Sequence, residues 1–180
     1  MKNIATLNKE LTYLSKDRQR LYAIVDAGIY GEIIDIFDID APEHRILFKD
    51  EYIEEYEEVA PYIIDLNNDE NVKEQILSKG YGETWLTFLL SSNDIDTLAN
   101  ALKERINVYS QKHDKEIIFR FYDPRNFERY LKMHTKEQLT ELYGDVSGSF
   151  AFGDLEDKTK LNVYSVEGKK VLDLVVKEST

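Results

Sequence analysis

The sequence contains no cysteine among its 180 residues. This absence excludes thiol nucleophiles, thiolate metal sites and disulfide bonds, and it is typical of proteins in a reducing cytoplasm. About the longest apolar run, residues 85–90, is interrupted by Thr87 and is too short to span a membrane. The first 20 residues lack the continuous apolar core of a signal peptide. We therefore expect a cytoplasmic protein with no membrane partner.

Proline and glycine are also scarce, with three and eight residues respectively. No proline-rich, serine-rich or low-complexity segment marks a linker, so we expect a single domain over residues 1–180. With 32% charged and 42% hydrophobic residues, the composition is that of a globular chain.

Basic residues are in the minority, 23 against 35 acidic ones, which gives a net charge of −12. The excess is local, since residues 32–74 hold 15 acidic and three basic residues while the remainder is balanced. We expect this stretch to form an acidic surface. Such a surface repels phosphate backbones and anionic lipids, so nucleic acid is not expected as a partner.

Hydrophobic spacing predicts a short amphipathic helix within residues 1–17, with Ile4, Leu7, Leu11 and Leu14 on one face. Four strand-to-helix steps follow, and their predicted strands are residues 21–25, 62–64, 85–90 and 117–122. This repetition is typical of an α/β core, here residues 18–144, with a mixed, partly parallel sheet flanked by helices.

The pattern changes after the last predicted helix, which opens with a capping box at Thr135 and Gln138 and is expected to end at Gly144. Residues 147–152 and 161–166 alternate apolar with polar or small residues, and residues 171–176 are strongly apolar. Residues 145–180 therefore predict an antiparallel β segment and a possible subdomain.

Three aspartates, Asp26, Asp65 and Asp123, follow predicted strands, where an open α/β sheet places its ligand sites. Together they could hold Mg²⁺ with a phosphate. Aspartate at these points more often caps or turns the chain into the next helix, above all at Asp123 with Pro124 behind it. No phosphate-binding loop accompanies the set, so we assign no catalytic residue, no metal ligand and no cofactor.

Residues 51–58, EYIEEYEE, form the densest acidic segment. As a helix, this segment would turn Tyr52, Tyr56 and Val59 toward the protein and its carboxylates outward. The outward residues are Glu51, Glu54, Glu55, Glu57 and Glu58. They form either a solvated face or a docking surface for a basic partner.

Residues 119–125, FRFYDPR, combine a predicted strand with a helix start. Arg120 and Tyr122 would share one face of the strand, and Asp123 and Pro124 would open the helix that carries Arg125. An unpaired guanidinium in a core strand is costly, so Arg120 needs an acidic partner such as Asp26. We expect these residues to form a structural framework.

Residues 119–125, read in order with several other segments, resemble the effector chaperones of bacterial type VI secretion, the Tap/TEC-type adaptors first catalogued as a domain of unknown function. The other matching segments are residues 21–27 (LYAIVDA), 60–66 (APYIIDL), 80–85 (GYGETW) and 98–105 (LANALKER). The resemblance covers about residues 20–143. It implies a non-enzymatic cytoplasmic adaptor without a cofactor, which binds a secreted effector and passes it to a VgrG-type spike protein.

Two other functions stay open. An acidic immunity protein could neutralise a basic toxin, which would abolish the activity of that toxin, whereas an adaptor would leave the activity intact. A phosphoryl-transfer enzyme using Asp26, Asp65 and Asp123 would instead be stabilised by Mg²⁺.

Overall fold

The structure, a computed structural model, describes residues 4–15 and 19–174. The described residues form seven α-helices: α1 (Ile4–Leu14), α2 (Ile33–Asp40), α3 (Asp50–Tyr56), α4 (Glu70–Gly80), α5 (Ile95–Ile106), α6 (Pro124–Met133) and α7 (Lys136–Val146). A 3₁₀ turn (Glu57–Val59) continues α3. The strands are β1 (Arg20–Asp26), β2 (His44–Ile46), β3 (Pro61–Asp65), β4 (Leu86–Ser91), β5 (Asn107–Ser110), β6 (Lys115–Ile118), β7 (Gly148–Gly153), β8 (Lys160–Ser165) and β9 (Gly168–Asp173).

Seven strands form one sheet in the order β2-β3-β1-β4-β7-β8-β9, and every neighbouring pair is antiparallel. The prediction of a mixed, partly parallel sheet is therefore wrong. The crossover from β3 through α4 to β4 does join strands that run in the same direction. However, β1 lies between them and pairs antiparallel with both.

The apolar strand runs led to that wrong prediction. Continuous apolar strands are typical of parallel sheets because helices cover both faces of such sheets. Here residues 21–26, 61–65 and 86–91 are all buried although the sheet is antiparallel. Burial on both faces explains the composition, and burial does not depend on strand direction.

The predicted strand over residues 117–122 is wrong beyond Ile118. Strand β6 ends at Ile118 and pairs with β5 in a separate two-stranded hairpin, not in the main sheet. Residues 119–122 form a turn in which the Phe121 amide donates to the Phe119 carbonyl at 2.9 Å. This turn buries Phe121 and Tyr122 and leads directly into α6.

The C-terminal strands are antiparallel, as the alternation predicted, and they continue the main sheet through the β4–β7 pair. Phe127 of α6 packs against Phe150 of β7 and Tyr164 of β8, with ring centroids 5.0 and 5.2 Å apart. The single domain over residues 1–180 stays a prediction. Residues 1–3, 16–18 and 175–180, including parts of the predicted N-terminal helix and last strand, lie outside the described residues.

Local helix signals agree closely with the structure. The side chains of Asp69, Asp94 and Asp123 cap α4, α5 and α6, and the capping box at Thr135 opens α7. The predicted stop at Gly144 is wrong, because α7 continues to Val146 and ends at a left-handed Ser147. Among the described residues, no helix is both long and apolar enough to cross a membrane.

Gly148 lets β7 approach β4 closely, and this contact is testable. A Cβ at Gly148 would lie 1.7 Å from the Leu90 carbonyl oxygen, whereas one at Gly144 would meet nothing within 4 Å. We expect Gly148→Ala to lower the free energy of unfolding by at least about 2 kcal/mol. Gly144→Ala should raise it by up to about 1 kcal/mol, because alanine favours helix. Urea-induced unfolding measures both, and equal effects would contradict the close approach.

Candidate functional site

Three buried aspartates each bind a partly exposed arginine. The pairs are Asp26 with Arg120, Asp65 with Arg20, and Asp123 with Arg125. In each pair the carboxylate is almost fully buried while the guanidinium keeps contact with water. An arginine that stays partly solvated loses less hydration than a fully buried one, so this arrangement limits the desolvation cost.

Asp26 lies at the end of β1, where its amide donates to the Trp85 carbonyl at 3.0 Å. Its Oδ2 atom accepts hydrogen bonds from the guanidinium of Arg120 and, at 3.0 Å, from the hydroxyl of Tyr122. The prediction that Arg120 pairs with Asp26 is confirmed. Arg120 nevertheless reaches this carboxylate from the turn before α6 and not from a core strand.

The surroundings of Asp26 keep its two partners protonated. Burial, followed by the charge of Asp26, raises the pKa of Tyr122, so its hydroxyl remains a neutral donor. Burial lowers the pKa of Arg120, but the charge of Asp26 and the hydrogen bonds outweigh this effect and the net shift is upward. The Tyr122 carbonyl accepts from Thr87 Oγ1 at 2.6 Å, which joins the turn to β4.

Asp65 lies at the other end of the sheet. In the β1–β3 pair, Asp26 is opposite Pro61 and Asp65 is opposite Tyr22, a separation of four residues or roughly 13 Å along the strands. Neighbouring antiparallel strands have their C-terminal ends at opposite edges of the sheet, so Asp26 and Asp65 lie apart. The three aspartates therefore do not meet. No group of three or more metal-ligating His, Cys, Asp or Glu side chains occurs within residues 4–15 and 19–174. The hypothesis of a shared Mg²⁺ site is wrong.

Asp123, Pro124 and Arg125 form the start of α6. The Asp123 carboxylate accepts from the amide of Arg125 at 2.9 Å and from its guanidinium, while Pro124 occupies the first turn. The helix-cap interpretation of Asp123 is confirmed. With Asp26, Arg120 and Tyr122, these residues bring the β1 end, the turn and α6 into one framework.

The acidic segment is helical, and Tyr52 packs partly buried against the core as predicted, but Tyr56 and Val59 do not pack inward. Tyr56 and Val59 are 42% and 51% exposed, and no residue of α3 or the 3₁₀ turn is buried. These side chains instead line a groove of about 250 Å³ between this segment and the β5–β6 hairpin. One wall is formed by Tyr52, Tyr56 and Val59, and the other by Glu116, Ile117 and Ile118.

One rim of the groove is closed by a polar contact at Glu116. Its carboxylate accepts hydrogen bonds from Lys49 and from the Tyr52 hydroxyl, each at 2.7 Å. These bonds lower the pKa of Glu116, and the bond from Tyr52 raises the pKa of that tyrosine to about 12. The contact therefore ties α3 to the hairpin over the whole neutral pH range.

The acid excess is divided between two places in the fold. Beside α4, Glu32 pairs with Lys79 and Asp40 accepts from Gln75. The other group is on α3 and the 3₁₀ turn, where five glutamates are exposed and form no ion pair with any described residue: Glu51, Glu54, Glu55, Glu57 and Glu58. These five carboxylates form a continuous unneutralised group on one segment, while Asp35, Asp38 and Glu74 on α2 and α4 are exposed and likewise form no ion pair with a described residue.

The groove and the Asp26 site are adjacent. The Ala27 amide donates to the Ala60 carbonyl at 3.1 Å, and a Cβ at Gly28 would lie 3.1 Å from the Val59 carbonyl and 3.2 Å from Asp26 Oδ1. Ile118 of the other wall precedes Arg120 by two residues. The Asp26 site thus anchors the chain behind both walls.

Sequence reasoning missed the hairpin that forms the second wall. Residues 107–110 and 115–118 are short, and residues 111–114 (QKHD) between them are polar with a left-handed Asp114 at φ 50°. Two short segments around a polar turn are a hairpin signal. The helix pattern of α5 runs up to Ile106, directly before Asn107, so residues 107–110 were not recognised as a separate strand.

A family model described as "Domain of unknown function (DUF4123)" matches residues 21–141 of the chain. No curated protein and no solved structure matches it. The matched range contains the Asp26 framework, the acidic segment and both walls of the groove, and it ends before β7.

The pairing of Arg120 with Asp26 predicts a specific loss of stability. Arg120→Ala leaves the buried Asp26 carboxylate without its cation, and since Arg120 is 39% exposed we expect a loss of about 2–3 kcal/mol in the free energy of unfolding. Arg125→Ala is the matched control and should cost less, because Arg125 is 53% exposed and the backbone cap of Asp123 persists. Equal losses in urea-induced unfolding would contradict the proposed framework.

Proposed function

The chain belongs to the DUF4123 family, and from this we propose that it is a non-enzymatic adaptor of the bacterial cytoplasm. In this proposal it binds a type VI secretion effector and helps to load it onto the VgrG-type spike protein. The type VI effector chaperones that the sequence resembles were themselves first catalogued as a domain of unknown function. All the segments that carry the resemblance lie within the matched range, between residues 21 and 125.

The observation that carries the proposal is the groove beside the unpaired glutamates. Exposed apolar side chains next to a charged rim are typical of protein-binding surfaces, where apolar residues supply affinity and charges select the partner. Val59 and Ile118, on opposite walls, are both exposed. A protein that presents such a surface has a place for a second protein to dock.

The Asp26 framework supports the same proposal. Its buried carboxylates accept hydrogen bonds from arginine, tyrosine and backbone groups, so they hold the turn and α6 against the sheet. The motif residues 119–125 therefore maintain the shape of the surface. This role fits a module whose work is to bind.

Co-expression tests the adaptor proposal directly. A tagged copy of the chain, expressed with a type VI effector gene and a VgrG-type spike gene from the same genome, should recover both proteins. Expressed with the effector alone, it should still recover the effector, since that contact is direct. Tag alone is the control. Recovery of neither protein from the co-expressing cells would contradict the proposal.

The unpaired glutamates also favour a second candidate, an acidic immunity protein that covers a basic toxin. The two functions differ in what happens to toxic activity on binding. We expect the purified chain to leave the activity of the bound effector intact and to be needed only for its delivery. Loss of toxic activity in an assay with the purified proteins would favour the immunity function instead.

A further inference from the structure

The groove between the acidic segment and the hairpin has the dimensions of a side-chain pocket. Its volume of about 250 Å³ is below the roughly 300–1,000 Å³ of typical small-molecule sites. Two of its lining residues, Phe48 and Asn107, are buried, whereas Tyr56, Val59 and Ile118 are exposed. A groove with a shallow, apolar entrance suits one or two side chains projecting from a partner protein.

The charges around this entrance are arranged by helical geometry. At about 100° per residue, Glu51 and Glu55 lie next to the face that carries Tyr52 and Tyr56, while Glu54 lies on the opposite face. The Glu55 carboxylate raises the pKa of Tyr56, which lines the groove. Glu55 is therefore close to the Tyr56 side of the groove.

Asn107 provides a polar group within the apolar lining. It is 6% exposed, and its amide nitrogen donates to the carbonyls of Leu47 and Lys103 at 3.2 and 2.8 Å. Its Oδ1 atom is buried and has no hydrogen-bond partner. An unsatisfied buried acceptor is unfavourable, so a donor brought by a bound partner would relieve a cost present in the free protein.

We propose that this groove is the docking site for a cationic amphipathic segment of a partner protein. The segment places apolar side chains against Tyr56, Val59 and Ile118, and its lysine or arginine side chains lie beside Glu51 and Glu55. Charge complementarity selects this occupant, because Glu51 and Glu55 form no ion pair within residues 4–15 and 19–174, and the nearby Lys49 is bound to Glu116. The inference rests on the proposed adaptor function and assigns it a surface.

A synthetic peptide serves as the probe. It is a labelled amphipathic helix of leucine and lysine, with leucine at i, i+3, i+4 and i+7, and its control carries glutamate at every lysine position. Fluorescence anisotropy at about 0.15 M salt, where the Debye length is about 8 Å, measures binding. We expect the lysine peptide to bind and the glutamate peptide not to bind. Equal binding of the two peptides, or of neither, would overturn the proposal.

Val59→Asp separates groove binding from general attraction to acidic protein. The substitution makes the surface more negative, so it can weaken a cationic peptide only by blocking the apolar contact. We expect at least about a tenfold loss of affinity.

Val166→Asp is the matched control, since Val166 is 66% exposed and lies in the β8–β9 turn. Ile118→Asp repeats the test from the other wall. Unchanged affinity in both groove variants, each folded by circular dichroism, would refute the site.

The rim has its own control pair. The double variant Glu51→Gln with Glu55→Gln should lower the affinity for the lysine peptide severalfold. Glu54→Gln, on the opposite face of the helix, should leave that affinity unchanged.

Sedimentation of the free chain tests another occupant of the groove. A dimer that Val59→Asp dissociates would assign the groove to a second copy and overturn the proposal.

The effector assay distinguishes failure of the groove assignment from failure of the adaptor function. If the wild-type chain recovers the effector and Val59→Asp recovers it equally well, the groove assignment fails while the adaptor function stands. If the wild-type chain recovers neither effector nor spike, the adaptor function fails. The peptide titration still decides whether the groove binds cationic segments.

Discussion

The bond between Asp26 and Arg120 is the contact on which the rest of the structure depends. It joins residues 94 positions apart in sequence, the end of the central strand β1 and the turn before α6. Tyr122 donates to the same carboxylate, and its carbonyl binds Thr87 of β4. Because β1 pairs with both β3 and β4, this contact fixes the hairpin and α6 against the middle of the sheet.

The same contact shapes the surface of the protein. Val59, on one wall of the groove, lies beside Gly28 at the β1 end, and Ile118, on the other wall, lies two residues before Arg120. The buried Asp26 carboxylate therefore lies next to one wall and binds the chain just after the other. The exposed glutamates of α3 stay free of ion pairs with the described residues, so the surface combines rigid support with unneutralised charge.

Strand direction decides which acidic residues can act together. In an antiparallel sheet, neighbouring strands end at opposite edges, so Asp26 and Asp65 are separated even though each directly ends an apolar strand. Each buried carboxylate binds its own arginine. The acidic segment carries five exposed carboxylates without an ion pair among the described residues, and this group favours a basic partner.

The sequence by itself determined the features that depend on a few neighbouring residues: the cap at Asp123, the capping box at Thr135, and the need of Arg120 for an acidic partner. Only the tertiary structure decided the antiparallel order of the strands, the exclusion of β6 from the main sheet and the exposure of Tyr56 and Val59. Apolar runs report burial, which both sheet types share. Strand direction and the position of an element depend on pairing between distant segments, and no local pattern encodes that pairing.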